Sequence, residues 1–86
     1  MLDERTLSKI ALDKIYTWFS EEYLKENHAV YAYGFVSDTV YQVFVGVKTR
    51  KDLPNRKATE KGWVVYGLVF IDALTGKITH EEFEKE

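Results

Sequence analysis

The sequence predicts an α+β fold: an N-terminal helix packed on a twisted antiparallel β-sheet of three to four strands, joined as an α-β-β-β-β meander. Three observations carry this. Residues 4–26 repeat apolar side chains at helical spacing. Residues 29–47 hold two runs rich in β-branched and aromatic side chains. The third is the uncharged stretch Gly62-Trp63-Val64-Val65-Tyr66-Gly67-Leu68-Val69-Phe70-Ile71, which reads as a strand covered on both faces.

The residues after that stretch carry turn chemistry. In Asp72-Ala73-Leu74-Thr75-Gly76-Lys77-Ile78-Thr79, Asp72 can accept from backbone N–H groups two or three residues on, and Gly76 takes positive φ at little cost. A four- or five-residue hairpin loop is expected, with Ile78 re-entering the sheet as a short strand. The remaining residues, His80 to Glu86, read as an acidic tail pinned by Phe83.

The helix is expected to run unbroken over 4–26. Leu7, Ala11, Leu12, Ile15, Tyr16, Trp18, Phe19 and Tyr23 fall in one arc, opposite Lys9, Asp13, Thr17, Ser20 and Glu21. Asp3 or Thr6 suits the N-cap, and Asn27 is placed to end the helix in the left-handed region. The arc is wider than a core-facing helix needs, so its surplus is expected to wrap a curved sheet or meet another subunit.

Strand one is expected at Ala29–Val36 and strand two at Val40–Val47. Ser37-Asp38-Thr39 lies between them. With an even-length loop, Val30, Ala32, Gly34 and Val36 share a face with Tyr41, Val43, Val45 and Val47. Tyr31, Tyr33 and Phe35 then share the other face with Val40, Gln42 and Phe44, whereas an odd-length loop flips strand two. In the central strand Trp63, Val65, Gly67, Val69 and Ile71 alternate with Val64, Tyr66, Leu68 and Phe70. A helix carrying Trp18 and Phe19 needs small residues opposite it, so it is assigned to the aliphatic face with gaps at Ala32, Gly34 and Gly67. An aromatic face is left over.

Eighty-six residues make a single domain, 1–86, too small for a deep enclosed active site without a second chain. There is no cysteine, which removes disulfides, zinc–thiolate sites and thiol chemistry. The start Met1-Leu2-Asp3-Glu4-Arg5 carries no secretory signal, and no apolar run is long enough for a membrane helix, so a cytoplasmic location and no membrane contact are expected.

The leftover aromatic face is the leading candidate site. Tyr31, Tyr33, Phe44, Tyr66 and Phe70 offer rigid apolar area with polar tips, which suits a protein partner or a second copy of the chain. The segment from Lys48 to Lys61 supplies an alternative. Lys48, Arg50, Lys51, Arg56 and Lys57 could grip phosphates, with Tyr31, Tyr33 and Phe44 as a stacking platform. Against nucleic acid stand a net charge of −2 and the absence of an RNP-type motif.

Catalytic signals are weak, and a non-enzyme is expected. Ser8, Ser20 and Ser37 sit in no nucleophile-elbow setting. His28 and His80 are far apart, and His80-Glu81-Glu82 lacks the second histidine of a zincin helix. No metal or cofactor is expected. A third reading is an enzyme subunit whose pocket, between helix and sheet, uses Glu22 or His28 and is completed by a second chain.

The C-terminal half resembles small PepSY-type domains, in which an alternating apolar strand leads into Asp-Ala-x-Thr-Gly-Lys/Glu and an apolar residue. Here that run is Val69-Phe70-Ile71-Asp72-Ala73-Leu74-Thr75-Gly76-Lys77-Ile78, and Tyr41-x-Val43-x-Val45 is similar to the preceding strand. The order of elements also resembles cystatin-like folds and the nuclear-transport-factor-like immunity proteins of bacterial toxin systems. The cystatin Gln-x-Val-x-Gly motif has an echo in Gln42-Val43-Phe44-Val45-Gly46, placed mid-strand instead of at a hairpin tip. These resemblances imply a non-catalytic protein-binding or inhibitory module.

Overall fold

A computed structural model describes residues 1–48 and 63–85. They form α1 (Glu4–Ile15), α2 (Glu21–Glu26), β1 (Val30–Phe35), β2 (Val40–Lys48), β3 (Trp63–Asp72) and β4 (Ile78–Glu84). The strands make one antiparallel sheet in the order β1-β2-β3-β4, which is the expected meander.

α1 starts where Asp3 caps it, its carboxylate accepting from the Thr6 N–H at 2.8 Å. Leu7, Ala11 and Ile15 recur every fourth residue and are fully buried, so one stripe of the helix faces the sheet. The helix does not run on to residue 26. Thr17 turns its hydroxyl back onto the Lys14 carbonyl at 2.6 Å, and Ser20 caps a second helix by accepting from the Tyr23 N–H at 3.0 Å. Glu21 and Glu22 then complement the positive end of α2. The break lets Trp18 and Phe19 drop onto β3 at Gly67. A Cβ built on Gly67 would lie 3.2 Å from the Trp18 ring and 3.3 Å from Phe19.

α2 ends at Glu26 as expected, but the left-handed residue that closes it comes one position later than the sequence suggests. Asn27 stays at φ −96°, and His28 takes the left-handed conformation at φ 53°. The His28 N–H bonds Lys25 O at 3.2 Å and the Ala29 N–H bonds Leu24 O at 2.9 Å, the paired bonds of a Schellman cap. Such a position favours glycine by roughly 1–2 kcal/mol, partly offset by glycine's larger unfolded-state entropy. His28→Gly is therefore expected to stabilise the fold by about 0.5–1 kcal/mol, read as a higher urea midpoint at unchanged slope.

The second hairpin forms as its turn residues dictate. The Asp72 carboxylate accepts from the Leu74 N–H at 2.8 Å, Gly76 sits at φ 78°, and the Asp72 N–H closes on Lys77 O at 2.8 Å. Beyond it the chain is no loose tail. β4 pairs with β3 from Ile71↔Ile78 to Tyr66↔Glu84, and Phe83 stacks on Trp18 with ring centroids 4.6 Å apart.

The first hairpin differs from expectation. The Val36 N–H donates to Val40 O at 2.9 Å, leaving the three residues Ser37, Asp38 and Thr39 as the loop. An odd loop pairs residues of like parity, so Tyr31, Tyr33 and Phe35 face Val45, Val43 and Tyr41 on the helix side. The core accordingly comes from one phase of each inner strand: Tyr41, Val43, Val45 and Val47 with Val65, Val69 and Ile71. Helix α1 packs on β2 and β3 from that side. Of the three predicted gaps, only Gly67 lies under the helical segment.

Candidate docking face

The sheet register places the opposite phase in straight rungs across four strands. One rung is Ala32–Phe44–Leu68–Glu82, its neighbours Gly34–Gln42–Phe70–His80 and Val30–Gly46–Tyr66–Glu84. None of the buried core side chains belongs to these rungs, and no described element lies over them. The face is apolar through its middle and acidic along β4.

Trp63 joins this face by a register shift. Val47 pairs with Val65 but Lys48 with Trp63, so Val64 is the extra residue of a bulge and Trp63 changes sides. Its ring lies edge-on to Phe44 at 5.2 Å, with the Lys48 ammonium 5.1 Å from its centroid. Gly46 makes room for this, since a Cβ there would meet Trp63 at 2.7 Å and Phe44 at 2.9 Å. Phe44 is also stacked on Tyr66 at 6.2 Å. Beside this ridge of rings, Ala32 and Gly34 form a low floor, with nothing within 4 Å of a Cβ built on Gly34.

Along β4 the Tyr66 hydroxyl donates to Glu82 Oε1 at 2.7 Å, and His80 Nε2 lies 3.6 Å from Glu82 Oε2. The Tyr66 hydroxyl, and after it His80, hold the Glu82 carboxyl below the usual range. The same bond, with burial second, raises the Tyr66 phenol. Glu82 therefore stays an anion beside the rings over the whole neutral range.

Of the partner-binding residues expected from sequence, Phe44, Tyr66 and Phe70 come together here. Tyr31 and Tyr33 do not. They lie on the helix side of β1, nearly parallel at 6.3 Å. Leu68 shares the phase of Tyr66 and Phe70, as the strand alternation predicts. Trp63, Glu82 and Glu84 complete the face, and sequence reasoning does not place them there. Gly46 is the signal for Trp63, because a mid-strand glycine marks close approach of another group. Of the basic set, Lys48 reaches the face's edge, while Arg50, Lys51, Arg56 and Lys57 lie outside the described residues.

Glu22 and His28 are exposed and do not line the cleft of about 410 Å3 between the helical segment and the sheet, which is bounded by Trp18, Phe19, Ser20, Tyr23, Val65 and Lys85. The segment Gln42–Gly46 lies within β2, paired on both sides. Among the described residues no three acidic or histidine side chains are grouped to hold a metal, and no helix is long and apolar enough to cross a membrane. Comparison of the chain with protein families, curated proteins and solved structures gave no match.

Proposed function

We propose that this chain is a small non-catalytic binding module of the cytoplasm that docks a protein partner on the open sheet face. The observation that supports this most is the set of rungs carrying Phe44, Trp63, Tyr66, Leu68 and Phe70 on the side away from both helices. Rigid rings beside a low floor are the usual composition of an interface centre, and a charged rim sets orientation. Glu82 and Glu84 select a partner whose apolar knob is flanked by lysine or arginine. The same carboxylates oppose a phosphate backbone, so the nucleic-acid alternative gains no support from this face.

The test uses wild-type chain and the Phe44→Ala/Phe70→Ala variant as parallel baits in extract of the source cells. A partner retained by the first and lost by the second, with both chains folded by circular dichroism, is the expected result. Equal retention of every captured protein would sink the reading.

A further inference from the structure

The two edges of the sheet are built differently. β4 carries Glu81, Glu82 and Glu84, and its ladder is interrupted by a register shift at Ile71. Charge and irregularity of this kind keep an edge from pairing with another strand. β1, Val-Tyr-Ala-Tyr-Gly-Phe, has no charge and no proline, and its ladder to β2 runs without a shift. Among the described residues, four of the seven large exposed hydrophobic residues fall on or beside it: Val30 (46%), Tyr33 (50%), Phe35 (43%) and Val36 (54%).

The hydrogen-bond phase of β1 is set by its hairpin. Val36 bonds Val40, and bonded pairs alternate along an antiparallel ladder, so residues 30, 32 and 34 spend their backbone groups on β2. The N–H and C=O groups of Tyr31, Tyr33 and Phe35 then point outward, along the free edge. We propose that this edge pairs with its own counterpart in a second copy, joining two sheets into one of eight strands about a two-fold axis at Tyr33.

The strand is self-complementary in that register. Tyr33 meets Tyr33 of the second copy, and Tyr31 meets Phe35, each an outward-facing pair able to exchange both backbone bonds. On the helix side every cross-strand pair is aromatic on aromatic. On the other side Ala32 lies opposite Gly34, so no side chain obstructs the approach. No like charges meet, whereas joining two β4 edges would set glutamates against glutamates. A foreign strand of either charge finds nothing on β1 to read, which favours the neutral copy as occupant. The β1 edge is separate from the ring cluster of the docking face, and the pairing would extend that face across the axis with Ala32 and Gly34 at its centre.

The test is sedimentation of the full chain from about 1 to 500 μM, a span that brackets a micromolar constant, with amide exchange followed by NMR. The mass should rise from 10.1 kDa toward twice that value. The amides of Tyr31, Tyr33 and Phe35 should become at least about tenfold better protected as the dimer fills, since their protection follows the dimer population. Ala32→Lys, which puts a lysine on the edge, and Tyr33→Pro, which removes an outward N–H that β2 does not use, should both remain single chains. Phe44→Ala/Phe70→Ala should still dimerise, which separates this result from the fate of the docking face. A mass fixed at one chain throughout would overturn the proposal. So would a dimer in which those three amides gain no protection, or one that Ala32→Lys leaves intact in a folded chain.

Discussion

Phe44→Ala/Phe70→Ala should weaken partner binding by about 100- to 1,000-fold while leaving the fold in place. Two aromatic anchors at an interface centre are each worth about 2 kcal/mol on truncation, and neighbouring anchors add imperfectly. Phe44 and Phe70 sit in adjacent rungs on the side away from the core, so their loss empties no space under α1. Tyr33→Ala is the matched control. It removes a ring of similar size from the opposite face of the sheet and should leave partner affinity within about threefold, the scatter expected of a residue outside the contact. Titration calorimetry of the partner against the three chains reads the difference.

The largest effect on stability is expected at Tyr41, which is 1% exposed and central to the core. Its ring meets Phe35 edge-on at 5.0 Å, and its hydroxyl lies 3.1 Å from Ser8 Oγ, tying β2 to α1. Tyr41→Ala should cost about 3–5 kcal/mol, because the helix and sheet collapse only partly into the space left. A domain of this size has about 4–13 kcal/mol in total, so the variant should melt roughly 15–30 °C lower. Tyr41→Phe keeps the ring and loses one hydrogen bond, which costs about 1 kcal/mol. A thermal melt of the two side by side separates packing from polar contribution. Equal destabilisation would mean that the hydroxyl, not the ring, carries the residue's weight.

The parts of the fold legible in the sequence are those where local chemistry and tertiary packing agree. Leu7, Ala11 and Ile15 set the helix face by spacing alone, and Asp72 with Gly76 dictates the second hairpin because few other residues make those bonds and that φ. The phases of β2 and β3 come from their own alternation. Other features turn on one residue. Counting Ser37, Asp38 and Thr39 as a complete three-residue loop, instead of assuming an even one, sends Tyr31 and Tyr33 to the helix side. Ser20 followed by Glu21 and Glu22 is a helix start, masked by apolar periodicity that continues through Trp18, Phe19 and Tyr23. The strand character of His80–Glu84 is tertiary in origin. Its glutamates have little β-propensity, and the segment is held by the β3 ladder, by Phe83 on Trp18 and by Lys14, which reaches Glu81 at 3.3 Å. The candidate site is half legible for the same reason: Phe44, Tyr66 and Phe70 are given by strand phase, whereas Trp63 depends on a bulge and Glu82 on β4.

On the face away from the helices the protomer leaves the rings of Phe44 and Phe70 partly open to water. A soluble gadolinium chelate added to dilute monomeric chain tests this directly by NMR, through the relaxation of side-chain protons within its reach. The protons of Phe44, Leu68 and Phe70 should broaden strongly, those of Val43 and Val69 should not, and the broadening at the three should fall once a partner is bound. Rings of Phe44 and Phe70 as shielded as Val43 in the free monomer would contradict the account.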